Sequence, residues 1–224
     1  MTVVMLSEWE MKTHGQGALR VLGVPFGVSE RAMELFVWAH AVQRGAVEYL
    51  VASQVDIRAT AGAEISVLHE EGSIAQLDAN GQTIFTVGPA AIDLCCALTD
   101  THASSSVSVT NVSGLQFAAE LASRGADKGL ACTVTGPLGS WCAGPVVGLT
   151  RIDASSDDLV ITCALDPLLA GGEPIDVSRV RATAQREGYP TESGAGQTFL
   201  DLAHQLWLPT SERSRAQGSE GDKG

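Results

Sequence analysis

Apolar residues near the start of the chain recur at the three-to-four-residue spacing of helices. Ser7 and Glu10 have the spacing of a capping box, in which each side chain bonds the other residue's amide, so a helix is predicted to about Val21. Ser29 is predicted to cap a second helix, whose apolar residues cover more than one face. A helix of that kind is usually buried on two sides, which suggests a partner subunit and predicts a homodimer. Residues 1–52 are predicted to be an antiparallel helical pair.

Short β-branched runs replace the helical spacing after this pair. Strands are predicted around Ile65 and Ile74 and over residues 84–87. Asn80-Gly81 indicates a tight turn between strands. Pro89 is predicted to open a helix, because a proline at the first helical position sacrifices no hydrogen bond.

The stretch 106–137 has the clearest change of period. Alternating valines from Val107 predict a strand, an apolar stripe from Phe117 to Ala126 predicts a helix, and residues 130–135 predict another strand. This order is a strand–turn–helix–strand unit, and its turn could face a ligand.

After Pro137 the pattern becomes less regular. A Gly-rich segment is predicted to be a loop, followed by strands over 146–152 and 159–164 that flank a polar hairpin loop. A helix is predicted over 176–187. The segment 191–196 is predicted to be a linker before a last short helix over 199–206.

These patterns predict an α+β fold, with an N-terminal helical pair followed by a mixed sheet with packed helices. The predicted divisions are a helical N-terminal region (1–52), an α+β core domain (53–190), a C-terminal helix (191–209) and a disordered tail (210–224).

Composition narrows the classes of partner. The 224 residues carry a formal net charge of −12 with a pI near 4.7, and an acidic surface repels nucleic acid. No run of about 18 apolar residues indicates a membrane span. The N-terminus lacks the basic start and long apolar centre of a signal peptide, so a cytoplasmic protein is expected.

The cysteines and histidines give no metal pattern. The five cysteines contain no CxxC pair, and reduced, buried thiols are the expected state. The histidines are scattered without the spacing of ligands, so no metal site is predicted. His14 could act as a general acid or base, but it also fits an exposed helix residue beside Glu10.

Two loops are candidates for ligand binding. Asn111, Ser113 and Gly114 lie where a strand passes to a helix, so their free N–H groups could hold an anion or a cofactor amide, although a plain structural turn explains these residue types better. Thr135 and Gly136 begin a small-residue loop after a strand end, which suits a ligand or a simple connection. The GxGxxG, GxxxxGK[ST] and GxSxG motifs do not occur.

These residues resemble the malate/L-lactate dehydrogenase-type oxidoreductases, the NAD(P)-dependent group without a Rossmann fold. Segment 109–114 (VTNVSG) is similar to that family's V-x-N-S-N-H-x-G, and segment 128–135 (KGLACTVT) is similar to its A-A-x-x-G-L-I-G-I-x-x-T-N, at the same separation. Segments 78–97 and 19–45 resemble its approach helix and its opening. The resemblance implies the family's fold and NAD or NADP as cofactor, bound near Asn111, Ser113, Gly114, Thr135 and Gly136.

A second resemblance is to a group of short bacterial proteins of unknown function, itself similar to a reduced, divergent branch of these dehydrogenases. That group begins L-S-x-x-E and ends V-P-A-S-E-x-S-R, and this chain has Leu6-Ser7-Glu8 and Leu208–Arg215. The chain is identified as a divergent member of it.

The departures from the dehydrogenases bear on activity. The family's S-H-G histidine has no counterpart in residues 46–50, and the histidine of N-S-N-H falls on Gly114. Gly148-Leu149-Thr150 is not a convincing counterpart of its G-T-N-P cofactor loop. Loss of both histidines removes the proton shuttle that hydride transfer to a carbonyl needs. No catalytic residue is assigned, and a binding or accessory subunit is expected. The alternative is an NAD(P)-dependent oxidoreductase of small 2-hydroxy/2-oxo acids or imines with a rebuilt active site.

Overall fold

The computed structural model describes residues 2–165 and 174–207. The elements up to the central stretch are β1 (Val3–Leu6), α1 (Glu8–Val21), α2 (Phe26–Val42), α3 (Ala46–Ala52), α4 (Gln54–Thr60), β2 (Ser66–Glu71), β3 (Ile74–Asp78), α5 (Ile84–His102) and β4 (Ser104–Thr110). A 3₁₀ helix (Leu115–Phe117) follows, then α6 (Ala119–Asp127), β5 (Ala131–Gly136), β6 (Gly139–Ala143), β7 (Leu149–Ile152), β8 (Leu159–Ala164), β9 (Pro174–Ile175), α7 (Val177–Glu187), β10 (Tyr189–Glu192) and α8 (Ser193–Trp207).

The larger sheet is mixed, which confirms the predicted α+β class. Its strand order is β2-β3-β4-β8-β5-β6-β7-β9, and of the described pairs only β3–β4 is parallel. β8 therefore lies between β4 and β5, and the chain has to cross the sheet to place it there. In a separate two-stranded sheet, β1 pairs with β10 in antiparallel orientation. This pairing connects the N-terminal part of the described chain to its C-terminal part.

The core lies between the sheet and the helices. α5 packs across β4 and β8, and α2 packs on α5, α1, α6 and α7. The wide apolar arc of α2 is therefore covered within the chain, including Trp38, which is 6% exposed. The arc needs no partner subunit to bury it.

The capping box is confirmed. The Ser7 hydroxyl accepts the Glu10 amide at 3.2 Å, and a Glu10 carboxylate oxygen accepts the Ser7 amide at 2.7 Å. The prediction that Ser29 caps the second helix is wrong. α2 begins at Phe26 after Pro25, whose φ already suits the entry to a helix. Ser29 lies inside α2, buried, and donates its hydroxyl to the Phe26 carbonyl at 2.7 Å.

The strand predicted over 84–87 is also wrong. These residues form the first turn of α5, and Asn80-Gly81 is a turn that leads into this helix rather than into a strand. Ile84, Phe85 and Val87 are fully buried, so tertiary packing decides against their β preference. Pro89 lies inside α5 rather than at its start.

Three further expectations are corrected. β6 occupies most of the segment predicted to be a Gly-rich loop, and the linker over 191–196 is instead the end of β10 and the start of α8. The strands around the polar 153–158 segment are not a hairpin, because β7 pairs with β6 and β9 while β8 pairs with β4 and β5. β1 was not predicted. The predicted tail lies outside the described residues.

One described helix, Ile84–His102, is long and apolar enough to cross a membrane by length and composition alone. More than half of its apolar window is buried by the rest of the chain, since it packs between the sheet and α2. Its apolarity is accounted for by its place in the core.

Candidate functional site

The turn between β4 and α6 is held tightly to the start of α5. Ser113 donates its N–H to the Gln82 carbonyl at 3.0 Å and accepts the Ile84 N–H at 2.8 Å. Asn111 has a φ of 51°, and its amide donates to both carboxylate oxygens of Asp78 at 3.0 Å. The backbone groups of Ser113 and the side-chain amide of Asn111 are therefore bonded within the protein.

Tyr49 from α3 fills the space beside this turn. Its hydroxyl donates to Ser113 Oγ at 2.9 Å. Gly114 has a φ of 77°, and a Cβ added there would lie 3.0 Å from both Cζ and the hydroxyl oxygen of Tyr49. A side chain at this position would require the Tyr49 ring to shift by a few tenths of an ångström, and the positive φ strains any residue other than glycine.

Aromatic rings extend from Tyr49 into the core. Its ring centroid is 5.4 Å from that of Phe117 and 6.0 Å from that of Phe85, and Phe85 stacks on Phe117 at 5.3 Å. Phe85 also meets Phe36 edge to face at 5.1 Å. This packed cluster holds the Tyr49 ring against Gly114.

Thr135 and Gly136 end β5, where it turns into β6. The Ser140 hydroxyl lies 2.9 Å from that of Thr135 and 2.8 Å from the Ala154 carbonyl oxygen. Because a hydroxyl has one hydrogen, Ser140 donates to Ala154 and accepts from Thr135. Gly136 differs from Gly114 in the space beside it, because a Cβ built on Gly136 would meet nothing within 4 Å.

Gly136 faces a cavity of about 580 Å³, which is within the usual size of small-molecule sites. The cavity lies between the end of α2, the 3₁₀ helix after Gly114, and the β5–β7 strands. Its walls are mostly apolar, with side chains from Val42, Leu115, Phe117, Val134, Leu138, Trp141 and Ile175. Of the other predicted residues, Asn111, Ser113, Gly114 and Thr135 do not line it.

Charge in this cavity has one sign. The charged residues that line it within the described ranges are Arg44 and Arg151. Arg151 donates to the Leu138 carbonyl at 3.1 Å, and its guanidinium carbon lies 5.7 Å from the centroid of the Trp141 ring. Neither arginine forms an ion pair with a carboxylate in the part of the chain that the structure describes.

Comparison with known proteins identifies the scaffold. At the level of sequence, neither a family model nor a curated protein matches the chain. Solved structures do. Malate dehydrogenase from Pyrococcus horikoshii has a TM-score of 0.69 at 10% identity, over 92% of this chain and 97% of its own. Sulfolactate dehydrogenase from Methanocaldococcus jannaschii has a TM-score of 0.69 at 11% identity, over 92% of this chain and 98% of its own.

The chain has the fold of the malate/L-lactate dehydrogenases. A Δ1-piperideine-2-carboxylate reductase from Pseudomonas syringae shares it as well, with a TM-score of 0.65 at 8% identity over 89% of this chain and 99% of its own. The fold implied by the sequence resemblance is therefore confirmed. Structural similarity at such low sequence identity establishes the fold. Any activity has to be argued from the residues of the site itself.

The segment 46–50 belongs to α3, and its Tyr49 lies beside Gly114. The resemblance expects one histidine in this segment and another at position 114, so the structure brings those two regions together. The sequence alone did not indicate that Tyr49 and Gly114 are neighbours.

His14 lies away from both the turn and the cavity. Its ring meets Trp9 edge to face at 5.7 Å and His204 of α8 at 5.4 Å. Burial, followed by the neighbouring His204, lowers the pKa of His14. These contacts make it part of the α1–α8 packing.

The sequence did not single out the residues that distinguish the cavity. Gln43, Arg44 and Gly45 follow α2 directly, and the positive φ of both Arg44 (66°) and Gly45 (77°) turns the chain there. An Arg-Gly pair after a long apolar helix was the available signal. Arg151 lies on β7, and no local pattern indicates that it lines the same cavity as Arg44.

The described residues contain no group of three or more His, Cys, Asp and Glu side chains placed to hold a metal ion. All five cysteines are buried free thiols, as the sequence predicted. Cys132 and Cys163 lie directly opposite each other on β5 and β8, with their Sγ atoms 3.4 Å apart.

Proposed function

We propose that this chain is a binding or accessory protein on a dehydrogenase-like scaffold, without the hydride transfer of that family. The observation that carries the proposal is the Tyr49 ring, which lies 3.0 Å from where a side chain on Gly114 would begin. A side chain on Gly114 would press against this ring, which is held there by Phe85 and Phe117.

The contact between Tyr49 and Gly114 matters because of what the reduction of a carbonyl requires. Reduction of a carbonyl by a nicotinamide needs a group that delivers a proton to the oxygen. Histidine is absent from both segments that the resemblance pairs with catalytic histidines, and His14 packs elsewhere. Ligand binding has a better basis, because the cavity at Gly136 is open and of suitable size.

The alternative function is an NAD(P)-dependent oxidoreductase that acts on a small 2-hydroxy/2-oxo acid or an imine through a rebuilt site. One observation favours it. The Tyr49 hydroxyl, bonded to Ser113 Oγ at 2.9 Å, is a proton donor in the place where histidine is missing. Asn111, Ser113, Gly114, Thr135 and Gly136 would then be the residues to probe for NAD or NADP contact.

Turnover separates the two functions. Purified protein is mixed with NADH or NADPH and a panel of 2-oxo acids and a cyclic imine, and nicotinamide fluorescence is followed over time. The expected result is no turnover. Turnover that Tyr49→Phe abolishes would replace the proposal with the oxidoreductase. Tyr189→Phe, which changes the other tyrosine of the chain, is the matched control.

Nucleotide binding is measured separately by fluorescence titration and thermal shift. A dissociation constant below about 100 μM would raise Tm measurably at millimolar ligand. Binding without turnover fits an accessory protein that retains a nicotinamide site. Absence of both binding and turnover removes the oxidoreductase alternative.

We also propose a cytoplasmic homodimer that binds neither nucleic acid nor membrane. Since α2 is covered within the chain, support for the dimer comes from β2, which pairs only with β3 among the described strands. Val67 and Leu68 on β2 and Ile74 on β3 are each at least half exposed. Light scattering tests the dimer, and a monomeric mass at micromolar concentration would overturn it.

A further inference from the structure

The cavity at Gly136 combines features that select one class of ligand. It has two arginines, an apolar lining, and a glycine that leaves open space in its wall. The ligand described here rests on the proposed function, because it binds without being reduced. The site is distinct from the Tyr49–Gly114 contact, since neither residue lines the cavity.

The electrostatics favour an anion. The whole chain carries a formal net charge of −12, so an anion is repelled by the surface in general. Arg44 and Arg151 reverse that field locally, and no carboxylate among the described residues pairs with either of them. Carboxylates bind arginine through two parallel hydrogen bonds, and such charge-assisted bonds are stronger than neutral ones.

Arg151 has two neighbours at the cavity wall. One of its terminal nitrogens donates to the Leu138 carbonyl, and its guanidinium lies near the Trp141 ring, which also lines the cavity. These contacts favour a side-chain position at the cavity and use only one of the guanidinium nitrogens as a hydrogen-bond donor. A side chain that is partly ordered before binding loses less entropy when the ligand arrives.

Gln43 and Gln116 bring two parts of the fold together at the cavity wall. The Gln43 amide nitrogen donates to the Gln116 carbonyl, and both residues line the cavity. This hydrogen bond holds the end of α2 against the 3₁₀ helix. Gln43 Oε1 is buried and has no hydrogen-bond partner within the described residues, so a ligand in the cavity has no access to it.

The remaining lining requires an apolar body. Phe117, Val134 and Ile175 are packed against the hydrophobic core and also face the cavity. An ion such as phosphate would leave these surfaces in contact with water. A ligand with a ring or a branched chain would bury them.

The geometry points to a binding site for an amphipathic organic acid, in which Arg44 and Arg151 bind the carboxylate and the apolar lining encloses a hydrophobic body. N-acylated amino acids with a large side chain have both parts. The site binds the acid without changing it, so no bond is made or broken.

Titration calorimetry with full-length protein and N-acetylphenylalanine tests the inference. Two related probes each remove one part: its uncharged amide removes the carboxylate, and N-acetylglycine removes the hydrophobic body. Binding is expected for N-acetylphenylalanine and weaker binding for every other probe. Equal affinity for the acid and its uncharged amide would overturn the arginine assignment.

Variants identify the site. Arg44→Gln and Arg151→Gln should each weaken binding of N-acetylphenylalanine by about tenfold or more, the effect of losing one charge-assisted hydrogen bond. Arg58→Gln removes the same charge from an exposed position on α4 that does not line the cavity, and should leave affinity unchanged. Circular dichroism confirms that each variant is folded.

The outcomes separate this inference from the proposed function. No binding of any of the three probes at millimolar concentration overturns the inference, whereas the turnover assay with NADH and NADPH still decides the proposed function. Binding that survives both arginine substitutions also overturns it. Turnover of a 2-oxo acid, together with arginine-dependent binding, overturns the proposed function and leaves the carboxylate site in place.

Discussion

The ring of Tyr49 and the backbone of Gly114 are complementary in shape, because the one occupies the volume that a side chain on the other would need. A Cβ on Gly114 would lie 3.0 Å from Tyr49 Cζ, and the φ of 77° at Gly114 adds a backbone cost for any other residue. Tyr49 therefore restricts the side chain that position 114 can carry.

A double-mutant cycle measures this relationship. Gly114→Ala should lower the free energy of unfolding by about 2–4 kcal/mol, through backbone cost and steric conflict together. In a Tyr49→Ala background the conflict is gone, so the same substitution should cost only about 1–2 kcal/mol. Urea denaturation of the four proteins gives the coupling. Additive effects would show that the ring does not restrict position 114.

Gly136→Val should block the cavity while leaving the fold intact. A Cβ at this position meets nothing within 4 Å, and valine suits a strand better than glycine does. We expect an unchanged or slightly higher Tm, and affinity for N-acetylphenylalanine lower by about tenfold or more. Thermal melts and calorimetry test both parts. Unchanged affinity would place the ligand elsewhere.

Gly125→Ala should destabilise the contact between α6 and β5. The added carbon would lie 2.6 Å from Cys132 Cβ, which belongs to a buried strand and has little room to move. Overpacking of this kind costs about 1–3 kcal/mol, more than the helix propensity gained. Gly144→Ala is the matched control, since its Cβ would meet only Ala131 Cα at 3.8 Å. Equal stability of the two variants would contradict the expectation.

His40 makes stability depend on pH. Its Nδ1 accepts the Val47 N–H at 3.3 Å, and its Nε2 lies 3.2 Å from the Pro190 carbonyl and the Thr191 hydroxyl. Burial, partly offset by Glu48, lowers the pKa of His40 below its ordinary 6.5. The unfolded chain then binds the proton more readily, so this contribution is present above pH 6.5 and decreases as the pH falls below it.

The measurement compares wild type with His40→Gln. The stability advantage of the wild type should shrink by at most about 1.4 kcal/mol per pH unit as the solution is acidified below the ordinary histidine pKa. His14, whose pKa is lowered too, titrates in both proteins and cancels in the difference. A difference that stays constant with pH would contradict a buried neutral His40.

The five thiols should resist modification in the native protein. Cys95, Cys132 and Cys163 have no exposed surface, and Cys96 and Cys142 are at most 4% exposed. A thiol reagent should therefore label the folded protein at least about tenfold more slowly than the protein in denaturant, because reaction requires exposure. Mass spectrometry counts the labels. Rapid labelling of any native cysteine would contradict the packing of this core.

Local chemistry was sufficient to predict several elements. The capping box at Ser7 and the start of α7 beyond Asp176 depend on contacts within one turn, and both are confirmed. The alternation around Val107 predicts β4 because one face of that strand is buried. Such local patterns predict a helix or a strand, but they do not show which other element it packs against.

Other features depend on contacts distant in sequence. Residues 84–87 prefer strands locally but lie between α2, α6 and the sheet, where a helix buries them better. The insertion of β8 between β4 and β5 leaves no local signal either. The candidate site has the same property, because Arg44 and Arg151 come from a helix end and a strand that only the complete fold brings to one cavity.

The hydrogen bonds between the β4–α6 turn and the start of α5 have a consequence for motion. The amides of Gly81, Ser113 and Ile84 donate across this junction, and Thr83 and Ser113 form a parallel bridge. For this turn to open, its hydrogen bonds to the first turn of a buried helix would have to break at the same time. Hydrogen exchange at these three amides should therefore occur as one cooperative event, with a protection close to that of global unfolding.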